Sequence, residues 1–405
     1  MKNNRVLIIG GGISGLSTAY WLTKLGVSCR VVERQERFGG LLSSRRESHG
    51  LVETAANGFI ANADILEMCQ DVGVSLAQTK KTKKNRYVFR KQPRRWPLNF
   101  TETLIFLKGV LKGLFQRRKF FSFAPQESVQ EWALPRFGEE GVRWLLAPAL
   151  QGVYAGNVRR LSARLIFSSM KEKQKKSALK GTQAPINGMG DLVERLVEWL
   201  KDHGALLEAG LGIEDLEKNE DEVVVVATSA FDLKSLARHA PDLVPALEAE
   251  GLPLVSATLF FEKQPEDLKG FGCLFPEKEG FYSLGVLFNE SIFENRSQKR
   301  SETWILGGAF RKDVCTFSDE EILRQIREDR KRLRSSAEEE TPLSFHITRW
   351  PQALPHLSVD LEKQILGLKL SRGIFLAGNY LGRIGLGQMV SRHRRLAEQI
   401  KEEFY

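Results

Sequence analysis

Val6-Leu7-Ile8-Ile9-Gly10-Gly11-Gly12-Ile13-Ser14-Gly15 stands near the N-terminus, followed by an amphipathic stretch to about Leu25, then Gly26, then Cys29-Arg30-Val31-Val32-Glu33. Four consecutive apolar residues running into glycine read as a strand buried on both faces. The stretch to Leu25 reads as a helix capped by Gly26, and Cys29 to Glu33 as a second strand parallel to the first. Strand, helix and strand within about 30 residues make a βαβ unit, because parallel neighbours need a crossover of that length.

The turn satisfies G-x-G-x-x-G through Gly10, Gly12 and Gly15, with Gly11, Ile13 and Ser14 completing the loop. Gly10 permits the tight turn, Gly12 lets the backbone approach a pyrophosphate, and Gly15 lets the helix lie close to the strand. The helix start offers unpaired N–H groups and a positive dipole end to phosphates. Glu33 ends the second strand, where an acidic side chain can hydrogen-bond ribose hydroxyls. Arg34 follows, then Arg37-Phe38-Gly39-Gly40 and Leu41. That glycine pair resembles the second half of a flavin oxidoreductase signature and allows a second close approach of backbone to cofactor. Together the two motifs point to FAD rather than a nicotinamide dinucleotide.

Working outward, Val223-Val224-Val225-Val226-Ala227 and Gly373-Ile374-Phe375-Leu376-Ala377-Gly378 read as further buried parallel strands, the latter leading to a last helix ending at about Glu403. Long insertions separate these strands, so the fold class is α/β with interleaved domains. Residues 1–80, 185–235 and 370–405 are expected to form an FAD-binding Rossmann-type domain. Residues 81–97 and 236–369 are expected to form a mixed-sheet substrate domain, with short β-like runs such as Leu254 to Phe261 and a charged helix from Asp319 to Leu333. Residues 98–184 read as a helical domain.

A chain of 405 residues with 42% hydrophobic and 27% charged residues can bury more than one core and has nothing of the disordered class. Its +10 net charge admits an anionic substrate or an anionic membrane surface. Nucleic acid is not expected, because no recognisable reader fold accompanies the charge. Cys29, Cys69, Cys273 and Cys315 are scattered, with no C-x-x-C pair and no metal-ligand spacing to histidine. Reduced cytoplasmic thiols and no metal centre are therefore expected. No apolar run reaches the length of a spanning helix.

Several separated stretches resemble the flavin amine oxidase superfamily, and within it the protoporphyrinogen oxidase family. Leu51-Val52-Glu53-Thr54-Ala55-Ala56-Asn57-Gly58-Phe59 is similar to the family's E-x-G-P-x-G-F loop over the flavin, although its Gly-Pro is Ala55-Ala56 here. Arg136-Phe137-Gly138, Gly152-Val153-Tyr154-Ala155-Gly156 and Leu161-Ser162 resemble its helical-domain signature. Trp350-Pro351-Gln352-Ala353-Leu354-Pro355 is similar to a W-x-x-A-x-P segment, and Gly378-Asn379-Tyr380, Gly382 and Gly385 to the C-terminal flavin loop. The resemblance implies that Glu33 and Arg34 hold the adenosine ribose, with Ile213 beside the adenine. It implies that Gly40, Leu41 and Ala55, Ala56, Asn57 and Gly58 line the flavin. Trp350 would sit near the isoalloxazine, with Ile384, Gly385 and Leu386 toward its pyrimidine side and Gly378 and Asn379 in the cofactor-binding loop before them.

The activity so implied is oxidation of a porphyrinogen, a bulky carboxylated substrate, by hydride transfer to FAD in haem biosynthesis, with oxygen or another acceptor reoxidising the flavin. No catalytic residue is singled out, because the cofactor carries such chemistry. Amine oxidation, carotenoid desaturation and a non-catalytic flavin-binding relative remain alternatives. Leu104, Leu107, Leu111, Leu114 and Phe115 recur at helical spacing beside Lys108 and Lys112, followed by Gln116-Arg117-Arg118-Lys119. This composition suits a peripheral membrane anchor. The same spacing equally suits a helix whose apolar face covers the domain core.

Overall fold

Alternation along the first strand organises the nucleotide half of the molecule. The computed structural model describes residues 5–170, 181–212, 223–242, 244–262, 268–334, 340–382 and 384–405. Val6–Ile9 lies at the centre of a five-stranded sheet, in the order Ile374–Leu376, Val224–Val226, Val6–Ile9, Cys29–Glu33, Leu206–Ala209, with every neighbouring pair parallel. Val6 and Ile8 join a core with Leu16 and Tyr20 of helix Ile13–Lys24, Leu192 and Leu196 of helix Met189–Asp202, and Ala397 and Ile400 of helix Leu386–Phe404. Leu7 and Ile9 point to the opposite face, where Val129, Trp132, Ile166 and Phe167 cover the sheet. Period-two alternation with apolar residues at every position thus places a helical layer on each side. The edge strand Leu206–Ala209 escaped the sequence reading, since only four residues of mixed polarity compose it.

A second sheet of seven strands runs Ser344–Pro355, Gly251–Phe261, Arg300–Gly307, Ser283–Phe288, Gly272–Leu274, Arg86–Arg90, Gln92–Arg94. All pairs are antiparallel except Gly272–Leu274 with Arg86–Arg90. One face packs Ala257, Leu259, Trp304 and Leu306 against Ile322, Ile326 and Leu333 of helix Asp319–Leu333. That helix starts on a Ser318–Glu321 capping box, carries acids in its first turn and bases in its last, and so complements its own dipole.

Helix Phe100–Phe115 begins on a capping box formed by Asn99 and Glu102. Gly109 is its buried residue, and a Cβ there would lie 2.0 Å from the Arg136 carbonyl oxygen of helix Val129–Gly141. The two backbones approach through that glycine, Phe106 packs beside it with its ring centroid 5.1 Å from that of Phe137, and the stripe of leucines turns outward. Phe100, Leu104, Leu111, Leu114 and Phe115 are all exposed, from 52% to 84%. The expectation that this face covers the domain core is therefore overturned. No helix among the described residues is long and apolar enough to cross a membrane.

Candidate functional site

The parallel sheet reverses its order of connection between Val6–Ile9 and Val224–Val226, and a cavity opens beyond the carboxyl ends of those two strands, as this topology dictates. Gly10, with φ of +108°, makes the turn; a Cβ there would meet the Ala227 backbone at 2.9 Å. At Gly15 an added Cβ would lie 1.9 Å from the Gly10 carbonyl oxygen, so this glycine sets the helix against the turn. Gly12 differs: its nearest foreign atom would be the Gly40 Cα at 4.0 Å. Gly12 and Gly40 face each other bare, which leaves the cavity wall free of side-chain bulk at the start of helix Ile13–Lys24. That helix has no side-chain cap and no acid in its first turn, so its leading N–H groups are directed at the cavity.

Glu33 braces this loop from below, its carboxylate accepting from the Gly11 N–H at 2.7 Å and the Gln35 N–H at 2.9 Å. Arg34 lies 3.7 Å from Asp232, and Arg37 donates to the Gly40 carbonyl at 2.7 Å.

The second wall is the segment after strand Gly50–Glu53. Glu53 is buried, accepts from Ser44 Oγ at 2.6 Å and from the Met189 N–H at 3.1 Å, and pairs with Arg296. It thereby caps helix Met189–Asp202 as well. Burial raises the Glu53 pKa despite Arg296, and burial lowers that of Arg296 despite Glu53. Desolvation opposes both charges, so contact geometry holds them. Arg296 also donates to the Asn57 carbonyl at 3.1 Å, which fixes the Ala55–Gly58 turn directly. Trp350, on the edge strand of the large sheet, donates its indole N–H to the Thr54 carbonyl at 2.7 Å.

The third wall is the start of the last helix. Gly385 is its N-cap, without a side-chain cap, and a Cβ there would meet nothing within 4 Å. Asn62 holds the first turn by donating to the Gly387 carbonyl at 2.7 Å, and Arg392 donates to the Gly378 carbonyl. Deeper in, His393 is fully buried, 2.5 Å from Ser17 Oγ, and burial puts its pKa well below the usual value. This ring is neutral and ties the two helices that point at the cavity.

These walls enclose one cavity of about 770 Å³. Gly10, Gly12, Ile13, Ser14, Glu33, Arg34, Gly40, Leu41, Ala55, Ala56, Asn57, Gly58, Trp350, Gly378, Asn379, Ile384, Gly385 and Leu386 all line it. Gly11 and Gly15 stand behind its wall, in the bracing and packing roles just described. Ile213 lies outside the described residues. Two glycine-bared approaches and two uncapped helix starts along one cavity fit an extended dinucleotide such as FAD.

Beyond Trp350 the cavity continues over the exposed face of the large sheet, lined by Leu254, Ile305, Leu284, Leu287, Phe271, Phe293 and Arg86, and by Gln151, Gly152 and Val153 from the helical layer. Residues 152–156 stand out in the sequence only as a signature, and Arg86 and Arg296 do not stand out at all. Nothing in the local pattern of a strand such as Arg86–Arg90 says which cationic side chain will border a cavity.

Residues 13–390 match the family model for flavin containing amine oxidoreductases. The chain is 24% identical to protoporphyrinogen oxidase 1, chloroplastic, of Arabidopsis thaliana, over 95% of this chain and 85% of that protein. It is 23% identical to coproporphyrinogen III oxidase of Mycobacterium bovis, over 98% of this chain and 97% of that one. Among solved structures it resembles a candidate protoporphyrinogen oxidase from Exiguobacterium sp. 255-15, with a TM-score of 0.75, 18% identity and full coverage of both chains. Cyclohexylamine oxidase from Brevibacterium oxydans IH-35A gives a TM-score of 0.70 at 16% identity, over 98% of this chain and 99% of that one. The chain belongs to the flavin containing amine oxidoreductase family and is an FAD-dependent oxidoreductase.

Proposed function

We propose that this protein oxidises a porphyrinogen. The observation that carries the reading is the continuation of the cofactor cavity into a mostly apolar chamber over the large sheet, walled by Leu254, Leu284, Leu287, Ile305, Phe271 and Phe293. Near-full-length similarity to proteins named protoporphyrinogen and coproporphyrinogen oxidase supports it.

In this reading Gly10, Gly12 and Gly40 admit the pyrophosphate, Glu33 and Arg34 face the adenosine ribose, and Ala55–Gly58, Trp350 and Ile384–Leu386 surround the isoalloxazine. Bound FAD supplies the acceptor for a hydride leaving a bridging carbon of the substrate. The start of helix Leu386–Phe404 offers N–H groups where negative charge would accumulate. The charged side chains on the described wall are Glu33, Arg34, Arg37, Asp232 and Arg86. Glu33, Arg34, Arg37 and Asp232 belong to the dinucleotide end, which leaves Arg86 as the charged side chain of the described chamber wall. Trp350 and the apolar sheet face orient the ring system and keep bulk solvent from the transfer.

Helix Phe100–Phe115 supports peripheral contact with an anionic membrane. Its outward Phe100, Leu104, Leu111, Leu114 and Phe115 are followed, after Gln116, by Arg117, Arg118 and Lys119. An exposed apolar stripe beside a basic cluster matches the two requirements of interfacial binding.

The test is anaerobic addition of protoporphyrinogen or coproporphyrinogen to the FAD-loaded protein. Loss of the oxidised flavin band with appearance of porphyrin absorbance is expected. A flavin that stays oxidised with both, but is reduced by an amine or a carotene, would move the activity to that substrate class.

A further inference from the structure

We propose that Arg86 is the carboxylate anchor of the substrate chamber, receiving an acidic side chain of the ligand at the end remote from the flavin. Arg86 opens strand Arg86–Arg90, the sixth strand of the large sheet counted from the edge strand that carries Trp350. Both residues border the same cavity. Neighbouring strands lie about 4.8 Å apart, so the five intervals between those two strands span roughly 24 Å. A ligand that meets the flavin near Trp350 and Arg86 at once is therefore long and broad. The assignment deepens the porphyrinogen reading and rests on it for the identity of the ring system.

Three features single out Arg86. It is the charged residue of the described wall that lies away from the dinucleotide end. No carboxylate among the described residues pairs with its guanidinium, whereas Arg90 on the same strand pairs with Glu102 at 2.6 Å and Arg296 pairs with Glu53. Its guanidinium lies 4.2 Å from the centroid of the Phe271 ring, which lines the same chamber. The Phe271 N–H donates to the Asn85 carbonyl at 2.7 Å, so that aromatic platform is tied to the residue preceding Arg86.

Much of the Arg86 surface is accessible, yet packing around it lowers its pKa through burial. The two agree if the exposed surface is the chamber itself, where solvent fits but apolar side chains crowd the cation. A permanently charged, planar donor set in such surroundings is matched by a carboxylate, which can accept two parallel hydrogen bonds. The surrounding Phe271, Leu287, Ile292 and Phe293 would contact the apolar body of the same ligand.

The experiment titrates the FAD-loaded protein, in matched detergent, with protoporphyrin IX and with its dimethyl ester, following the flavin absorbance. The acid is expected to bind at least about tenfold more tightly than the ester, the discrimination of one charge-assisted contact. Arg86→Met should erase that ratio, and Arg86→Lys should retain part of it. Equal affinities in the wild type, or a ratio that survives Arg86→Met, would overturn the assignment. The wild-type ratio and Arg86→Lys keep the test decisive should Arg86→Met fail to fold. Absence of binding by either form would overturn both this assignment and the porphyrinogen reading. Acid-selective binding through Arg86 without flavin reduction by porphyrinogens would overturn the porphyrinogen reading and leave Arg86 as a carboxylate subsite.

Discussion

The indole N–H of Trp350 donates to the Thr54 carbonyl at 2.7 Å, joining the edge strand of the large sheet to the loop that forms one wall of the cofactor cavity. Trp350→Phe keeps an aromatic ring but strands that carbonyl. We expect a stability loss of about 1 kcal/mol, the usual net worth of such a bond, measured by urea unfolding of the FAD-loaded protein. A shifted flavin absorbance maximum should accompany it, because the loop leads directly into Ala55–Gly58.

Gly12 and Gly15 belong to one motif but should fail differently. A methyl group at Gly15 would collide with the Gly10 carbonyl at 1.9 Å, whereas at Gly12 the nearest foreign atom is 4.0 Å away. Gly15→Ala is expected to cost about 3 kcal/mol of folding stability. Gly12→Ala, at a φ of −70° that alanine accepts, should change stability by less than about 0.5 kcal/mol. It should nevertheless weaken FAD binding, since the methyl group would occupy the cofactor approach. Thermal unfolding of the apoprotein and flavin titration separate the two effects.

Arg296 links the buried Glu53 to the Asn57 carbonyl. Removing one partner leaves a charge buried alone, so Arg296→Met should destabilise the protein by about 3–5 kcal/mol. The double variant Glu53→Gln with Arg296→Met should recover part of this loss, and a double-mutant cycle reads the coupling. If the double variant were additive with the two single ones, the pair would not be coupled.

Glu250 and His356 contribute to the acid limb of stability. Burial pushes the Glu250 carboxyl up, but hydrogen bonds from Lys312 at 2.6 Å, His356 at 3.1 Å and Arg160 at 2.7 Å outweigh it and bring its pKa down to about 2. Burial also lowers the pKa of His356, which is fully enclosed. Both folded values lie below the ordinary ones of 4.5 and 6.5. Their stabilisation is therefore complete above those ordinary values and is lost as the pH falls through the folded ones. Melting temperature should decline below pH 6.5 and fall further from pH 4.5 toward about 2. Glu250→Gln should melt lower at neutral pH and show a flatter profile in that lower window.

The outward face of helix Phe100–Phe115 predicts a separation of membrane affinity from stability. Leu111 and Leu114 are 53% and 68% exposed, so Leu111→Glu with Leu114→Glu should alter folding stability by less than about 1 kcal/mol in total. Cosedimentation with phosphatidylglycerol vesicles should drop sharply for the variant. Equal sedimentation of both proteins would exclude this face as the contact.

How much of this was legible depended on sequence distance. The βαβ unit is written in residues 6–33, where strand, turn and helix each follow from neighbouring side chains, and the structure places that turn at the cavity as its glycines require. The Ala55–Gly58 turn and the 378–386 loop carried enough motif to be assigned to one pocket. What holds that turn was not visible, because Glu53 and Arg296 lie 243 positions apart. Arg86 gave no signal either, standing in a chain rich in arginine and lysine.

By itself the sequence determined the cofactor class and the doubly covered parallel sheet, since glycine freedom and apolar alternation act through the local backbone. Tertiary structure alone decided which charges are paired and which line the substrate chamber, since a side chain's environment depends on elements hundreds of residues away. It also decided which way helix Phe100–Phe115 faces. Spacing defines an apolar stripe, but only the close approach of Gly109 to the Arg136 backbone turns that stripe away from the core.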